Sequence, residues 1–154
     1  MFGRRCKTMV IAALVMAAWA PPAAGAATKT KPVEQHCALQ VIGESVDGEL
    51  LTGPLECDSA DSTSLAMTAS SGVIAKHFTG FNYTGSELDI LGTSCTGGWL
   101  NMPAGWTNVI ASTQSFCTVV HYDLYYLQGS NATTYSPGNN LYNFYARTNS
   151  AQYF

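Results

Sequence analysis

Basic side chains are scarce in this chain. It has seven Lys and Arg against ten Asp and Glu, and Arg4, Arg5 and Lys7 lie in a segment that reads as removable. Lys29, Lys31, Lys76 and Arg147 are then left to face all ten acids. So few cations cannot form the phosphate-neutralising face that nucleic acid requires, and nucleic acid is excluded as a partner. Histidine is equally sparse: His36, His77 and His121. There is no Gly-x-Ser-x-Gly elbow and no Cys-x-x-Cys pair, which removes the usual signatures of a serine hydrolase and of a thiolate metal site. No apolar run reaches the roughly 20 residues of a spanning helix, so no membrane span is expected.

The first residues carry their own pattern. Arg4, Arg5 and Lys7 precede an uncharged, mostly apolar run from Met9 to Trp19, and Ala24-Gly25-Ala26 supplies small residues for cleavage. This is the layout of a secretory signal peptide over residues 1–26, so the mature protein is expected to be secreted. Cys6 falls in the removed part. Residues 27–36 lack apolar periodicity and read as a disordered leader.

Four cysteines remain: Cys37, Cys57, Cys95 and Cys117. An even number in an exported chain reads as two disulfides with three connectivities open. Cys37–Cys57 and Cys95–Cys117 are expected, because each pair brackets one local unit. No free thiol would then remain to act as a nucleophile. Between the first pair, Cys37 to Ile42 alternates like a strand with Cys37, Leu39 and Val41 on one face. Asp47-Gly48 marks a tight turn, and Gly53-Pro54 ends or bends the return. Residues 37–72 thus read as a disulfide-tied hairpin followed, over 58–71, by a short helix or an acidic Ser-rich loop.

Beyond Gly72 the chain is β-like, and it uses one stretch twice. Phe78-Thr-Gly-Phe-Asn-Tyr83-Thr-Gly85-Ser86 returns in pattern as Tyr122-Asp-Leu-Tyr-Tyr-Leu127-Gln-Gly129-Ser130, 44 residues on. Each copy is followed by an aromatic with a Ser six residues later, Trp106 to Ser112 and Phe144 to Ser150. Short strands are expected at 73–78, 87–91, 99–100, 110–113, 118–122, 132–135, 141–144 and 151–154. Turns fall at Gly97-Gly98, Pro103 to Gly105 and Ser136 to Asn140. Many short strands with frequent turns predict an all-β sandwich or barrel.

The doubled aromatic-x6-Gly hairpin, each copy followed by an aromatic-x5-Ser segment, resembles the βγ-crystallin family and its small secreted bacterial members. Ser94 to Trp106 and Cys117 to Asp123 carry the likeness best. It implies an all-β double Greek key over residues 73–154, with keys at 73–114 and 117–154, and with the hairpin outside it. Ser112 and Ser150 would bond the backbone of the folded hairpins. It also implies a non-enzymatic extracellular binding role. That group includes metalloproteinase inhibitors, so a metalloproteinase is one partner it suggests, met by an exposed loop at Gly97 to Trp106. A glycan or cell-surface module using Trp99, Trp106 and Tyr125 or Tyr126 is the alternative, and a small secreted toxin a third. Family members often hold Ca²⁺ on a segment that here becomes Thr107 to Ser112 and Tyr145 to Ser150. Asn108 and Ser112 are the candidate Ca²⁺ ligands, whereas Arg147 stands in the second segment where a cation would bind.

Two further groups have plainer readings. His121 and Asp123 lie two apart and could begin acid–base machinery, but the repeat places His77 before Phe78 just as it places His121 before Tyr122. Glu87 and Asp89 share a strand face and read as a solvated edge.

Overall fold

A computed structural model describes residues 33–59 and 72–154. The expected signal peptide, most of the leader and residues 60–71 lie outside them. Among the described residues, ten strands form two sheets. They are β1 (Gln35–Glu44), β2 (Leu50–Ser59), β3 (Gly72–Phe78), β4 (Glu87–Gly92), β5 (Trp99–Asn101), β6 (Ser112–Ser115), β7 (Val119–Tyr122), β8 (Asn131–Thr134), β9 (Gly138–Asn140) and β10 (Ser150–Tyr153). The protein is all-β, as composition and turn spacing predict. None of the described helices is long and apolar enough to cross a membrane.

The larger sheet runs β2-β1-β4-β3-β6-β9 and the smaller one β5-β10-β7-β8. Each half of the repeat therefore sends its third strand into the other half's sheet. β5 leaves the first half to pair with β10, and β9 leaves the second to pair with β6. All pairs are antiparallel except β1 with β4. The two sheets share one core, in which Leu88, Ile90, Ile110, Val119 and Tyr153 meet Trp106 and Phe144. Alternation sets this in β7, where Val119 and His121 are buried and Val120 and Tyr122 less so, as a strand with one face on the core requires. Both disulfides have the expected pairing, Cys37–Cys57 and Cys95–Cys117. The first joins residues opposite one another in the β1–β2 register.

Several local expectations are corrected. Gly53-Pro54 does not end the return strand, which continues to Ser59; register shifts between Leu39 and Gly43 absorb the irregularity. This placement takes Pro54 to an edge strand, where a missing N–H is tolerated. Leu141 to Phe144 is not a strand, since Tyr142–Phe144 forms a 3-10 helix. The turn expected at Ser136 to Asn140 yields its last three residues to β9. Here the sequence misleads because Gly138 serves closeness as well as turning. A Cβ on it would lie 2.2 Å from Thr113 O and 2.7 Å from Gln114 Cα, so only glycine lets β9 reach β6.

The hairpin is also more than an appendage. β1 lies parallel to β4, with His36 opposite Glu87 and Ala38 opposite Asp89. β4 is thus an interior strand and its carboxylates are not a solvated edge. Asp89 is buried.

Candidate functional site

The repeated turns are built alike, and the serines explain how. Ser112 Oγ donates to Gly80 O at 2.7 Å and accepts from Tyr83 N at 3.1 Å. Ser150 Oγ donates to Leu124 O at 2.7 Å and accepts from Leu127 N at 3.1 Å. Each hydroxyl closes a turn whose tip holds two consecutive non-glycine residues at positive φ, Asn82 and Tyr83 in one and Tyr126 and Leu127 in the other. Such a backbone costs about 1–3 kcal/mol per residue unless its surroundings hold it. Asn140 Oδ1 accepts from Asn82 N, and Asn101 Oδ1 accepts from Tyr126 N. Both amides come from the exchanged strands β9 and β5, so strand exchange and turn conformation support each other.

The candidate Ca²⁺ ligands are engaged within the protein. Ser112 is the turn clasp just described. Asn108, at a φ of 58°, accepts through Oδ1 from Asn149 Nδ2 at 2.9 Å. The same amide nitrogen donates to Asp123 O at 2.7 Å and reaches Arg147 O at 3.3 Å. Three oxygens from the second segment's surroundings and from Asn108 thus converge on an amide group. The nearby Asp123 carboxylate binds Arg147 through Oδ2 and Ser130 N through Oδ1. This donor set does not fit Ca²⁺, which wants six to eight oxygens and anionic ones among them. Here the carboxylate is spoken for and the positive neighbour is already a guanidinium.

Catalytic use of His121 with Asp123 is not supported by their placement. β7 ends at Tyr122, and Asp123 turns away to Arg147 and Ser130. His121 is fully buried, its Nε2 at 3.3 Å from both Thr113 Oγ1 and Thr134 Oγ1 and its Nδ1 at 3.4 Å from Thr148 Oγ1. His77, its counterpart in the repeat, is buried beside it with the rings 5.5 Å apart, edge to face. His77 bonds Thr113 Oγ1 and the Tyr153 hydroxyl, both at 3.0 Å. Burial lowers the His77 pKa to about 3, and burial with His77 nearby pushes His121 well below its ordinary value. Both rings are neutral at ordinary pH and act as a satisfied polar bridge between the sheets.

The aromatic residues divide sharply. Trp106 is only 5% exposed and belongs to the core, so it cannot meet a ligand. Trp99 stays partly open. Its indole N–H donates to Asp47 O of the β1–β2 turn, and its ring stands 6.0 Å from that of Tyr126, which contacts Tyr125 in turn. Residues 97–106 do not form one exposed loop, because β5 is bonded into the smaller sheet. Ala104 and Gly105 remain as an exposed tip between buried Met102 and Trp106.

A second aromatic group went unread in the sequence. Phe81 stacks on Tyr142 at 5.4 Å and meets Tyr145 at 5.1 Å. All three are exposed, Tyr142 by 70%. Its hydroxyl accepts from Asn140 Nδ2, which also donates to Asn82 Oδ1. Phe81 occupies the repeat position of Tyr125, and that equivalence was the available signal. No protein-family model, no curated protein and no solved structure matches this chain.

Proposed function

We propose that this protein is a secreted, non-enzymatic binding module with a βγ-crystallin-like double Greek key, and that its ligand is a glycan held on exposed aromatic rings. The fold part is supported by β6 and β10 returning beside β3 and β7, by the exchange of β5 and β9, and by the paired Ser112 and Ser150 clasps. Greek keys bring the fourth strand back beside the first in this way.

One observation carries the ligand class. Beside each repeated turn lies a group of aromatic rings, exposed Tyr125 and Tyr126 with half-buried Trp99 at one and exposed Phe81, Tyr142 and Tyr145 at the other. Exposed clustered aromatics mark interaction surfaces. Their flat apolar faces suit the C–H faces of pyranose rings, and the Asn140 amide fixes one group by bonding the Tyr142 hydroxyl and the exposed Asn82 side chain. A repeat that offers the surface twice suits a repeating polymer, because two linked contacts add avidity.

Insoluble and soluble cell-surface polysaccharides should retain the oxidised protein. Tyr126→Ala and Tyr142→Ala should each weaken retention, and the double variant should abolish it with circular dichroism unchanged. Retention equal in the double variant would sink the glycan reading. The metalloproteinase-inhibitor reading keeps one support, the tip at Ala104-Gly105 anchored by Met102 and Trp106, since a rigid tip lowers the ordering cost of binding. Stoichiometric inhibition of a secreted zinc proteinase, lost on inserting residues at this tip, would favour that reading instead.

A further inference from the structure

One charged cluster has no part in the binding surfaces. It sits where the added hairpin meets the larger sheet, on three neighbouring strands. His36 on β1 faces Glu87 across the parallel register, Lys76 on β3 faces Asp89, and Glu87 and Asp89 share a face of β4. His36 Nε2 lies 3.2 Å from Asp89 Oδ2 and 3.7 Å from Glu87 Oε1. Ligand atoms of His36, Glu87 and Asp89 all fall within 4.8 Å of one another. Lys76 Nζ bonds Glu87 Oε1 and stands 3.3 Å from Asp89 Oδ1.

The Asp89 side chain is the anomaly. It is 1% exposed, and its Oδ1 is buried without accepting any hydrogen bond. A buried carboxylate oxygen left so is costly. Two carboxyl groups here face the single Lys76 ammonium.

We propose that His36, Glu87 and Asp89 bind a divalent transition-metal cation of the zinc type. One imidazole nitrogen with two carboxylates is a donor set Zn²⁺ takes at about 2.0–2.2 Å per bond, with a fourth position left to water. An imidazole ligand and so few oxygens do not suit Ca²⁺ or Mg²⁺. The incoming cation takes the place of the Lys76 ammonium, whose side chain is 29% exposed and must give up its bonds to Glu87 and Asp89. Because His36 comes from β1 and the carboxylates from β4, the metal ties the hairpin to the sheet. The Cys37–Cys57 bridge cannot do this, since it closes the hairpin on itself.

Zinc chloride titrated calorimetrically into the full oxidised chain, in a non-chelating buffer, tests the proposal. One equivalent should bind, raise the melting temperature, and be replaceable by Co²⁺ with the visible absorption of a tetrahedral site. His36→Gln, at a half-exposed position that tolerates exchange, should weaken binding by at least about tenfold. Lys76→Met removes the resident cation and should tighten it. Absence of binding at about 100 µM zinc, a level at which even a modest site fills, overturns the proposal. So does stoichiometric binding that His36→Gln leaves unchanged, because the metal would then sit elsewhere.

Discussion

The two halves of the repeat solve one problem with the same hydroxyl and different braces. In both, a serine clasps the turn at matching distances, a glycine at φ +83° follows the tip, and a side chain at the turn's start accepts from the backbone beyond it. That side chain is Thr79, bonded to Ser86 N, in one half and Asp123, bonded to Ser130 N, in the other. Behind the second turn, Arg147 and Asn149 bind Asp123 through its carboxylate and its carbonyl. The equivalent places in the first half hold Val109 and Ala111, which can do neither. Positions that fix an unusual backbone are kept in both halves, whereas the supports around them have diverged. The two halves also meet at His77 and His121, where equivalence becomes direct contact.

That contact gives the largest expected effect. Unfolded histidines take up a proton near pH 6.5, while folded His77 does so only near pH 3 and His121 also lies far below. Between these values the unfolded chain binds more protons, so stability falls as pH falls from about 6.5 towards 3. His77 contributes about 1.4 kcal/mol per pH unit over that window, and His121 acts in the same direction. Urea unfolding at pH 7 and pH 5 should therefore differ by about 2 kcal/mol from His77 alone, with His121 adding in the same direction. His77→Gln keeps a polar side chain in the bridge and should make the slope shallower. An unchanged slope would mean that the histidines do not carry the pH dependence.

Next comes the strand exchange that binds the halves. Gly138 has a φ of +123° and no room for a Cβ against the backbone of Thr113. Gly138→Ala should cost about 3 kcal/mol or more, combining backbone strain with a clash that only movement of β9 relieves. Gly105→Ala is the control. It shares a positive φ but has nothing within 4 Å of the added carbon, so it should cost only about 1 kcal/mol. Equal costs in urea denaturation would show that φ alone matters and that β9 adapts.

What could be read in advance follows the same division. The turn glycines, the two serines and both disulfides are legible because each is a local requirement with a chemical signature. The identity of β9 is not, since Gly138-Asn139-Asn140 has turn composition and becomes a strand only through the nearness of β6. The parallel docking of β1 on β4 leaves no local mark either. A register between residues some 50 apart decides that Asp89 is buried and that His36 joins it. Likewise Trp99 and Trp106 are equals in composition. Only the path of the chain between β5 and β6 places one at the surface and the other inside. The aromatic surface at Phe81 was half visible, through its match to Tyr125, but Tyr142 reaches it from a segment that reads as a strand and Tyr145 from the one that resembles a Ca²⁺ segment.

The smallest effect is the most informative about the braces. Ser112→Ala leaves Gly80 O without its hydroxyl donor and Tyr83 N without its acceptor, and Ser150→Ala does the same to Leu124 O and Leu127 N. Losing such partners at partly buried backbone groups costs about 1–3 kcal/mol. The clasp distances match, so unbraced turns would suffer equally. The second turn is also held by Arg147 and Asn149 at Asp123, and an exposed ion pair of this type adds about 0.2–1 kcal/mol. It should keep its shape better when the serine is lost. Ser112→Ala is therefore expected to destabilise more than Ser150→Ala, by up to about 1 kcal/mol in paired urea titrations. The gap should close when Arg147→Ala is added to Ser150→Ala. If the two single variants cost the same, the salt bridge contributes nothing to the turn, and the divergence between the halves has no energetic consequence there.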